Sequence, residues 1–204
     1  MKTRPRNVHR MSGDQHRQTR KVLMDILTTL TEEGASAVKL VDITQIVVDE
    51  RVRLKCQIPL CDSFNKNLMC PPYVPTVDAF RVALALFSKA ILIQVSAPLQ
   101  GASANFPSAE VFAPARKLHE LVNLSEKKAF EKGFRFATGL IGGCCRLCEE
   151  CVAVQSGRSC LFPFKARPSM EAMGIDVIAT TEKSGLTISF PIVDRVTWTG
   201  VVFI

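Results

Sequence analysis

Residues 142–151 read GGCCRLCEEC and are followed by Cys160 and Pro163, so five of the eight cysteines are concentrated in one short stretch. From Cys145 the spacing is C-x2-C-x2-C-x8-C. Iron–sulfur clusters are held by cysteine thiolates, and bacterial ferredoxins use a C-x2-C-x2-C run with a further cysteine and a proline downstream. The pattern therefore predicts a [4Fe-4S] cluster. Its predicted ligands are Cys145, Cys148, Cys151 and Cys160.

Zinc is the alternative to a cluster in this stretch, because structural zinc sites also use C-x2-C pairs. Zinc sites normally combine two separated pairs, whereas three cysteines follow one another here at the same short spacing. Disulfides or free thiols are a third interpretation. Gly142 and Gly143 can adopt backbone angles that other residues avoid, and we expect them to support the site by letting the chain pass close to a bulky inorganic core.

A second group of cysteines occurs earlier, in the pattern Cys56-x4-Cys61-x8-Cys70, and two prolines follow it. Alone, this spacing is equally typical of buried thiols in a hydrophobic core. Beside the later motif, a second metal site with Cys56, Cys61 and Cys70 as ligands is the better interpretation. Asn65 lies between these cysteines and is predicted to adopt left-handed backbone angles.

The composition indicates a globular protein. With 204 residues, of which 47% are hydrophobic, the chain is long enough to bury a core. No apolar run reaches the roughly 18–20 residues of a membrane helix, and the start, MKTRPRNVHR, lacks the apolar core of an export signal. We therefore expect a cytoplasmic protein without a membrane partner. In that reducing compartment, many cysteines indicate metal binding rather than disulfides.

Most of the net charge of +7 is placed near the N-terminus, because residues 1–21 hold seven basic side chains and one acidic side chain. We interpret residues 1–14 as a basic, flexible leader and residues 15–204 as a single metal-binding domain. No nucleic-acid-binding motif follows the basic segment, so nucleic acid is not an expected partner.

Hydrophobic periodicity predicts one α/β domain, in which a mixed sheet is flanked by helices and both cysteine loops lie at one edge. Helices are predicted over residues 15–33, 76–88 and 109–132, and strands over 37–48, 90–95, 134–141 and 198–204. Residues 175–180 and 186–190 alternate around a glycine and predict a hairpin.

Two residues outside the cysteine motifs bear on the site. Arg167 follows Cys160 and is expected to place a positive charge or N–H donors near the cluster sulfurs, since hydrogen bonds and net charge tune cluster potentials. His119 lies on the third predicted helix, and a lone helical histidine more often belongs to the core or the surface than to a metal site. We therefore do not expect His119 to be a ligand.

Four motifs occur in order along the chain: VDERVRLKC (48–56), NLMCPPYVPTVDAF (67–80), GGCCRLCEEC (142–151) and KARPSMEAMGIDV (165–177). Together they resemble the cysteine-rich predicted metal-binding protein family of anaerobic bacteria and archaea, over residues 42–204. The resemblance implies cysteine-bound metal in the cytoplasm and implies no particular reaction. The ligands that it implies are Cys56, Cys61, Cys70, Cys145, Cys148, Cys151 and Cys160. Cys144 stands where the family often has a small residue, so its role as a ligand stays open.

Three functions fit these residues. The first is electron transfer by one or two [4Fe-4S] clusters, with a redox protein as partner in anaerobic metabolism, because clusters supply one-electron chemistry without further catalytic groups. The second is an enzyme that binds substrate at an open iron of the Cys56, Cys61 and Cys70 site, which requires that Cys144 does not fill that position. The third is a structural zinc protein.

Overall fold

The computed structural model describes residues 13–99, 108–190 and 192–204. Its strands are β1 (Ala37–Asp42), β2 (Lys89–Pro98), β3 (Thr138–Leu140) and β4 (Arg195–Phe203). Its helices are α1 (Gly13–Glu32), α2 (Glu50–Leu54), α3 (Val77–Leu84), α4 (Ser108–Glu131), α5 (Val152–Gln155) and α6 (Val177–Lys183). Short 3-10 turns cover Ile43–Gln45 and Glu171–Met173. The predicted leader lies outside the described residues, except that its last two residues begin α1.

The strands form one sheet in the order β1-β2-β4-β3. The central strand β2 pairs with β4 in a register that places Ile91 opposite Val202. The ladders between the described strands are all antiparallel, and the parallel pairing of the expected mixed sheet is limited to an isolated bridge between Ile141 and Ser169. The predicted α/β class, with helices around a sheet, is confirmed. No helix within the described ranges is both long and apolar enough to cross a membrane.

Both faces of the sheet are covered, which explains the continuous apolar run of β2. Successive side chains of a strand point to opposite faces, so Ile91 and Ile93 pack with α1 and α4, while Leu92 packs with α3 on the other side. The first face buries Leu23, Ile26, Leu30, Leu118, Leu121 and Val122. The second buries Phe80, Leu84, Leu140, Met170, Ile175 and Phe203. The sheet is thus the rigid layer from which the cysteine loops extend.

The hairpin predicted at residues 175–180 and 186–190 is wrong, because Val177–Lys183 forms helix α6. The β-branched residues of this segment favour a strand locally, but Asp176 caps a helix by accepting a hydrogen bond from the Ala179 N–H at 3.0 Å. The buried Thr180 hydroxyl then accepts from the Val47 N–H at 3.0 Å. A cap and a long-range hydrogen bond therefore override the strand propensity.

Candidate metal centre

The loop that carries the later cysteines is attached to the edge strand β3. The Ile141 N–H donates to the Pro168 carbonyl at 3.0 Å, and the Ile141 carbonyl accepts from the Met170 N–H at 2.8 Å. These two bonds hold the first residue after β3 against the segment that follows Cys160. The loop therefore leaves the sheet from a position that is fixed on both sides.

Gly142 and Gly143 let this loop cross β4 at close range. Gly143 has φ +67°, and a Cβ there would lie 2.7 Å from a ring carbon of Trp198. At Gly142 a Cβ would lie 2.9 Å from the Thr199 carbonyl oxygen. From the sequence, we expected these glycines to let the chain pass close to an inorganic core. In the structure, the neighbours that leave no room for a side chain are Trp198 and Thr199. Any larger residue would push the cysteine loop away from the sheet.

Four cysteines converge on one narrow cavity, and we call them the C-terminal thiol group: Cys145, Cys148, Cys151 and Cys160. Residues 67–69, from the earlier cysteine loop, form the opposite wall together with Leu147, Phe162 and Ala166. Burial raises the pKa of the Cys145 thiol, and the neighbouring thiols of Cys148 and Cys160 raise it further. The four predicted ligands of the later motif thus face a common space.

Backbone N–H groups point at the sulfurs of this group. The Leu68 N–H donates to Cys151 Sγ at 3.4 Å. The backbone N–H groups of Leu147 and Arg167 donate to the Cys145 sulfur and lower its pKa against the effect of burial. Hydrogen bonds to sulfur stabilise the thiolate form and tune the potential of a bound cluster. The donor of Arg167 at this site is its backbone amide.

The Arg167 side chain turns away from the sulfurs to meet Glu126 on α4. Its Nε and one terminal nitrogen donate to the two carboxylate oxygens at 2.9 and 2.5 Å. The same carboxylate accepts from the Gly139 N–H on β3 at 2.6 Å. This ion pair therefore joins α4 and β3 to the segment around Arg167, whose backbone amide faces the loop that carries the later cysteines.

The earlier cysteines follow α2 in a tight turn. The Cys61 N–H donates to the Cys56 carbonyl at 3.1 Å, and the Cys70 N–H donates to the Asn67 carbonyl at 2.9 Å. Asn65 has φ 57°, as predicted, and its N–H donates to the Pro71 carbonyl at 2.9 Å. The chain between Cys61 and Cys70 is therefore folded back on itself.

Cys144 lies close enough to Cys70 for its thiol to affect the pKa of Cys70, and we group it with the earlier cysteines as the N-terminal thiol group: Cys56, Cys61, Cys70 and Cys144. Burial raises the pKa of Cys70 to about 12, and the next largest cause is the neighbouring thiol of Cys144, followed by those of Cys61, Cys56 and Cys145. Burial and the Cys61 thiol likewise raise the pKa of Cys56. A metal that binds here must displace protons from these thiols, of which Cys70 is buried and Cys61 is exposed.

The two thiol groups are direct neighbours. Cys144 and Cys145 are consecutive, and Asn67 of the earlier loop donates from Nδ2 to the Cys145 carbonyl at 2.8 Å. Asn67 Oδ1 also accepts from the Met69 N–H at 3.0 Å, which fixes the wall of the cavity. Sequence reasoning missed Asn67. Its position three residues before Cys70, inside a quoted motif, was the available signal.

The donor set can be compared with the two kinds of metal site. Among the described residues, no group of three or more His, Cys, Asp or Glu side chains is arranged to hold a metal ion. A [4Fe-4S] cluster makes a different demand, because each thiolate binds a separate iron and the four sulfurs surround the whole core. Four thiols facing one cavity, with backbone N–H groups directed at two of the sulfurs, supply the number of ligands that a cluster requires, and the cavity of about 20 Å³ would have to widen to take the core.

Two further side chains belong to the surroundings of the loop. Glu171 accepts a hydrogen bond from the Gly143 N–H at 3.3 Å, and burial raises the pKa of this carboxyl. His119 is buried on α4, with Nε2 2.7 Å from the Lys165 carbonyl oxygen. Neither residue was assigned a role at the site from the sequence.

Comparisons with curated proteins and with solved structures found no match. A family model described as "Predicted metal-binding protein (DUF2284)" matches residues 39–204. The match includes every cysteine of both thiol groups and most of the sheet. The resemblance carried by the four motifs is thereby confirmed, and the chain belongs to the DUF2284 family of predicted metal-binding proteins.

Proposed function

We propose that this protein carries two [4Fe-4S] clusters, one on each thiol group, and transfers single electrons to or from a redox protein. The observation that carries the proposal is that four cysteines line one cavity, while Cys144, on the same loop, lies near Cys70 of the neighbouring earlier loop. Bound clusters would supply the one-electron chemistry. The chain itself would supply the thiolate ligands, the N–H donors to sulfur and the packing that limits access of water.

The position of Cys144 supports full cysteine ligation of both clusters. Adjacent residues on an extended chain direct their side chains to opposite sides, so Cys144 can serve the N-terminal thiol group while Cys145 serves the other. Two-cluster ferredoxins also use a cysteine from one motif to ligate the other cluster. Four thiolates on each cluster leave no iron open to substrate. This arrangement favours electron transfer over an enzyme that binds substrate at an open iron.

Exposed apolar side chains around both loops support a protein partner. Phe164, which is 90% exposed, and Leu161 flank Cys160, while Ile58 and Leu60 flank Cys61. Apolar groups clustered at the surface of a protein commonly mark an interaction site. A redox protein that covers these exposed apolar side chains would lie beside both thiol groups.

Anaerobic purification with iron, sulfide and zinc analysis tests the proposal. We expect about eight irons per chain and visible absorption that bleaches on reduction. Cys144→Ala and Cys70→Ala should each remove about four irons, and Cys148→Ala should remove the other four. A colourless protein with stoichiometric zinc would favour the structural zinc protein instead. Retention of all the iron in Cys144→Ala would favour an open iron and an enzyme.

A further inference from the structure

One end of the sheet lies away from the loop that carries the later cysteines, and we call it the basic end. Phe203 of β4 pairs there with Ala90 of β2 and with Thr138 of β3. Helix α4 ends here, because a short turn after Glu131 leads directly into β3. β3 then runs from the basic end towards the loop that carries the later cysteines, so the two features lie at opposite ends of this strand.

Helix α1 begins at the basic end. A short turn joins its last residue, Glu32, to β1, so the helix and the strand run in opposite directions, and β1 ends beside Lys89. At the other end of α1, a Cβ at Gly34 would lie 3.6 Å from Lys117 Cε on the first half of α4. The two helices are therefore antiparallel, and the start of α1 lies near the end of α4. Residues 1–12, which contain four lysine or arginine side chains and no acidic one, join the described structure here.

Positive charge exceeds negative charge at the basic end. Residues 127–135, at the end of α4 and in the turn after it, hold four basic side chains and one acidic side chain, Glu131, which pairs with Lys127. On the first half of α1, Arg20 and Lys21 are exposed and have no acidic partner among the described residues. Side chains of one sign gathered in one place attract a surface of the opposite charge. The basic end therefore favours an anionic partner.

Large apolar side chains are exposed beside these cations. Phe130 is 63% exposed, Phe136 is 68% exposed and Leu86 is 70% exposed. Leu86, Arg135 and Phe136 line the same cavity, so they are neighbours at the surface. The guanidinium carbon of Arg135 lies 4.6 Å from the centre of the Phe136 ring. Apolar groups that are exposed together commonly mark an interaction site, and here the site combines them with positive charge.

We propose that the basic end binds the surface of a membrane that contains anionic lipids. The lysine and arginine side chains bind the lipid phosphates, while Phe130, Phe136 and Leu86 insert at the boundary between headgroups and acyl chains. A nucleic acid would satisfy the cations but would leave Leu86 exposed to water, so the apolar side chains favour lipid. The expectation of no membrane partner came from the lack of a long apolar run, and binding at a lipid surface requires no such run.

Co-sedimentation of the full-length, anaerobically purified protein with lipid vesicles tests this proposal. One set of vesicles contains phosphatidylcholine alone, and the other contains about one third phosphatidylglycerol, an anionic lipid. We expect binding to the anionic set only, and weaker binding as salt rises from about 0.1 M to about 0.5 M, because salt screens the charges. Lys132→Gln combined with Arg135→Gln should lower the partition coefficient about 25-fold, since each basic residue near an anionic surface contributes about fivefold. Phe136→Ala should lower it about tenfold through loss of the inserted ring.

Matched controls carry the same changes near the cysteine loops, at exposed side chains: Lys66→Gln combined with Lys165→Gln, and Phe164→Ala. Both controls should bind the anionic vesicles like the wild type. Should Phe136→Ala fail to fold, Leu86→Ala replaces it. The proposal is overturned if the protein binds both sets of vesicles equally, or if the controls lose as much binding as the variants at the basic end. It is also overturned if the anionic vesicles are not bound, which would favour an acidic protein or a nucleic acid as the partner.

Discussion

Removing the Glu126 carboxylate should destabilise the protein and disturb the C-terminal thiol group. Glu126 accepts three hydrogen bonds, two from the Arg167 guanidinium and one from the Gly139 N–H. In Glu126→Ala the Arg167 guanidinium loses its ion-pair partner at a site where its side chain is 16% exposed. The variant therefore tests whether this ion pair holds together α4, β3 and the loop that carries the later cysteines.

The magnitude follows from burial and geometry. Breaking a buried ion pair by removing one partner costs about 3–5 kcal/mol, because it leaves an uncompensated charge. The pair here is partly open to water, with Glu126 21% exposed, so we expect about 3 kcal/mol. For a chain of this length, that loss corresponds to a melting temperature lower by about 6–12 °C.

Glu131→Ala on the same helix is the matched control. Glu131 lies 3.8 Å from Lys127 Nζ, and the two side chains are 54% and 74% exposed. Exposed pairs contribute about 0–1 kcal/mol, and both variants place alanine in the same helix, so helix propensity changes equally. Glu131 also lies at the C-terminal end of α4, where removal of a negative charge is neutral or slightly stabilising.

Thermal unfolding followed by circular dichroism, under anaerobic conditions, measures the difference between the two variants. We expect a large loss for Glu126→Ala and little change for Glu131→Ala. If the proposed cluster is bound at the C-terminal thiol group, its absorption should change only in Glu126→Ala. If both melting temperatures fall within about 2 °C of the wild type, the Glu126–Arg167 pair does not hold the loop and the reasoning is refuted.

Three further predictions concern single positions. Gly143→Ala should lower the unfolding free energy by about 2–4 kcal/mol, because it combines left-handed strain with overlap of the Trp198 ring. Gly157→Ala, at φ +65° with open space around it, should lower it by only about 1–2 kcal/mol. Urea unfolding measures both, and equal losses would contradict the proposed contact with Trp198. As pH falls below about 6.5, the unfolding free energy should decrease, because burial lowers the pKa of His119 in the folded protein and the unfolded chain therefore binds a proton more readily. The unfolding free energy of His119→Gln, measured against pH, should show a smaller slope, and an unchanged slope would exclude this histidine as the cause. Asp176→Ala should cost about 0.5–2 kcal/mol through loss of the α6 cap, and no loss in thermal unfolding would show that the cap is dispensable.

Features that depend on neighbours along the chain could be predicted from the sequence. The apolar spacing of α1 predicts a helix over residues 15–33, and Gly13–Glu32 is helical. Thr76 caps α3 as its residue type suggests, and Asn65 adopts the left-handed angles that were predicted. The cysteine spacing and the four motifs likewise led to the family, because ligand spacing and turn chemistry are local properties.

Features that depend on contacts between distant residues were decided by the tertiary structure. The order of the residues does not show that Cys144 lies near Cys70, since that proximity depends on how the two loops meet across Asn67. The segment Val177–Lys183 has β-branched residues that favour a strand, but a hydrogen bond from Val47 to Thr180 helps to stabilise it as a helix. Local propensities differ by about 1 kcal/mol or less, so a single cap or long-range hydrogen bond is enough to reverse them.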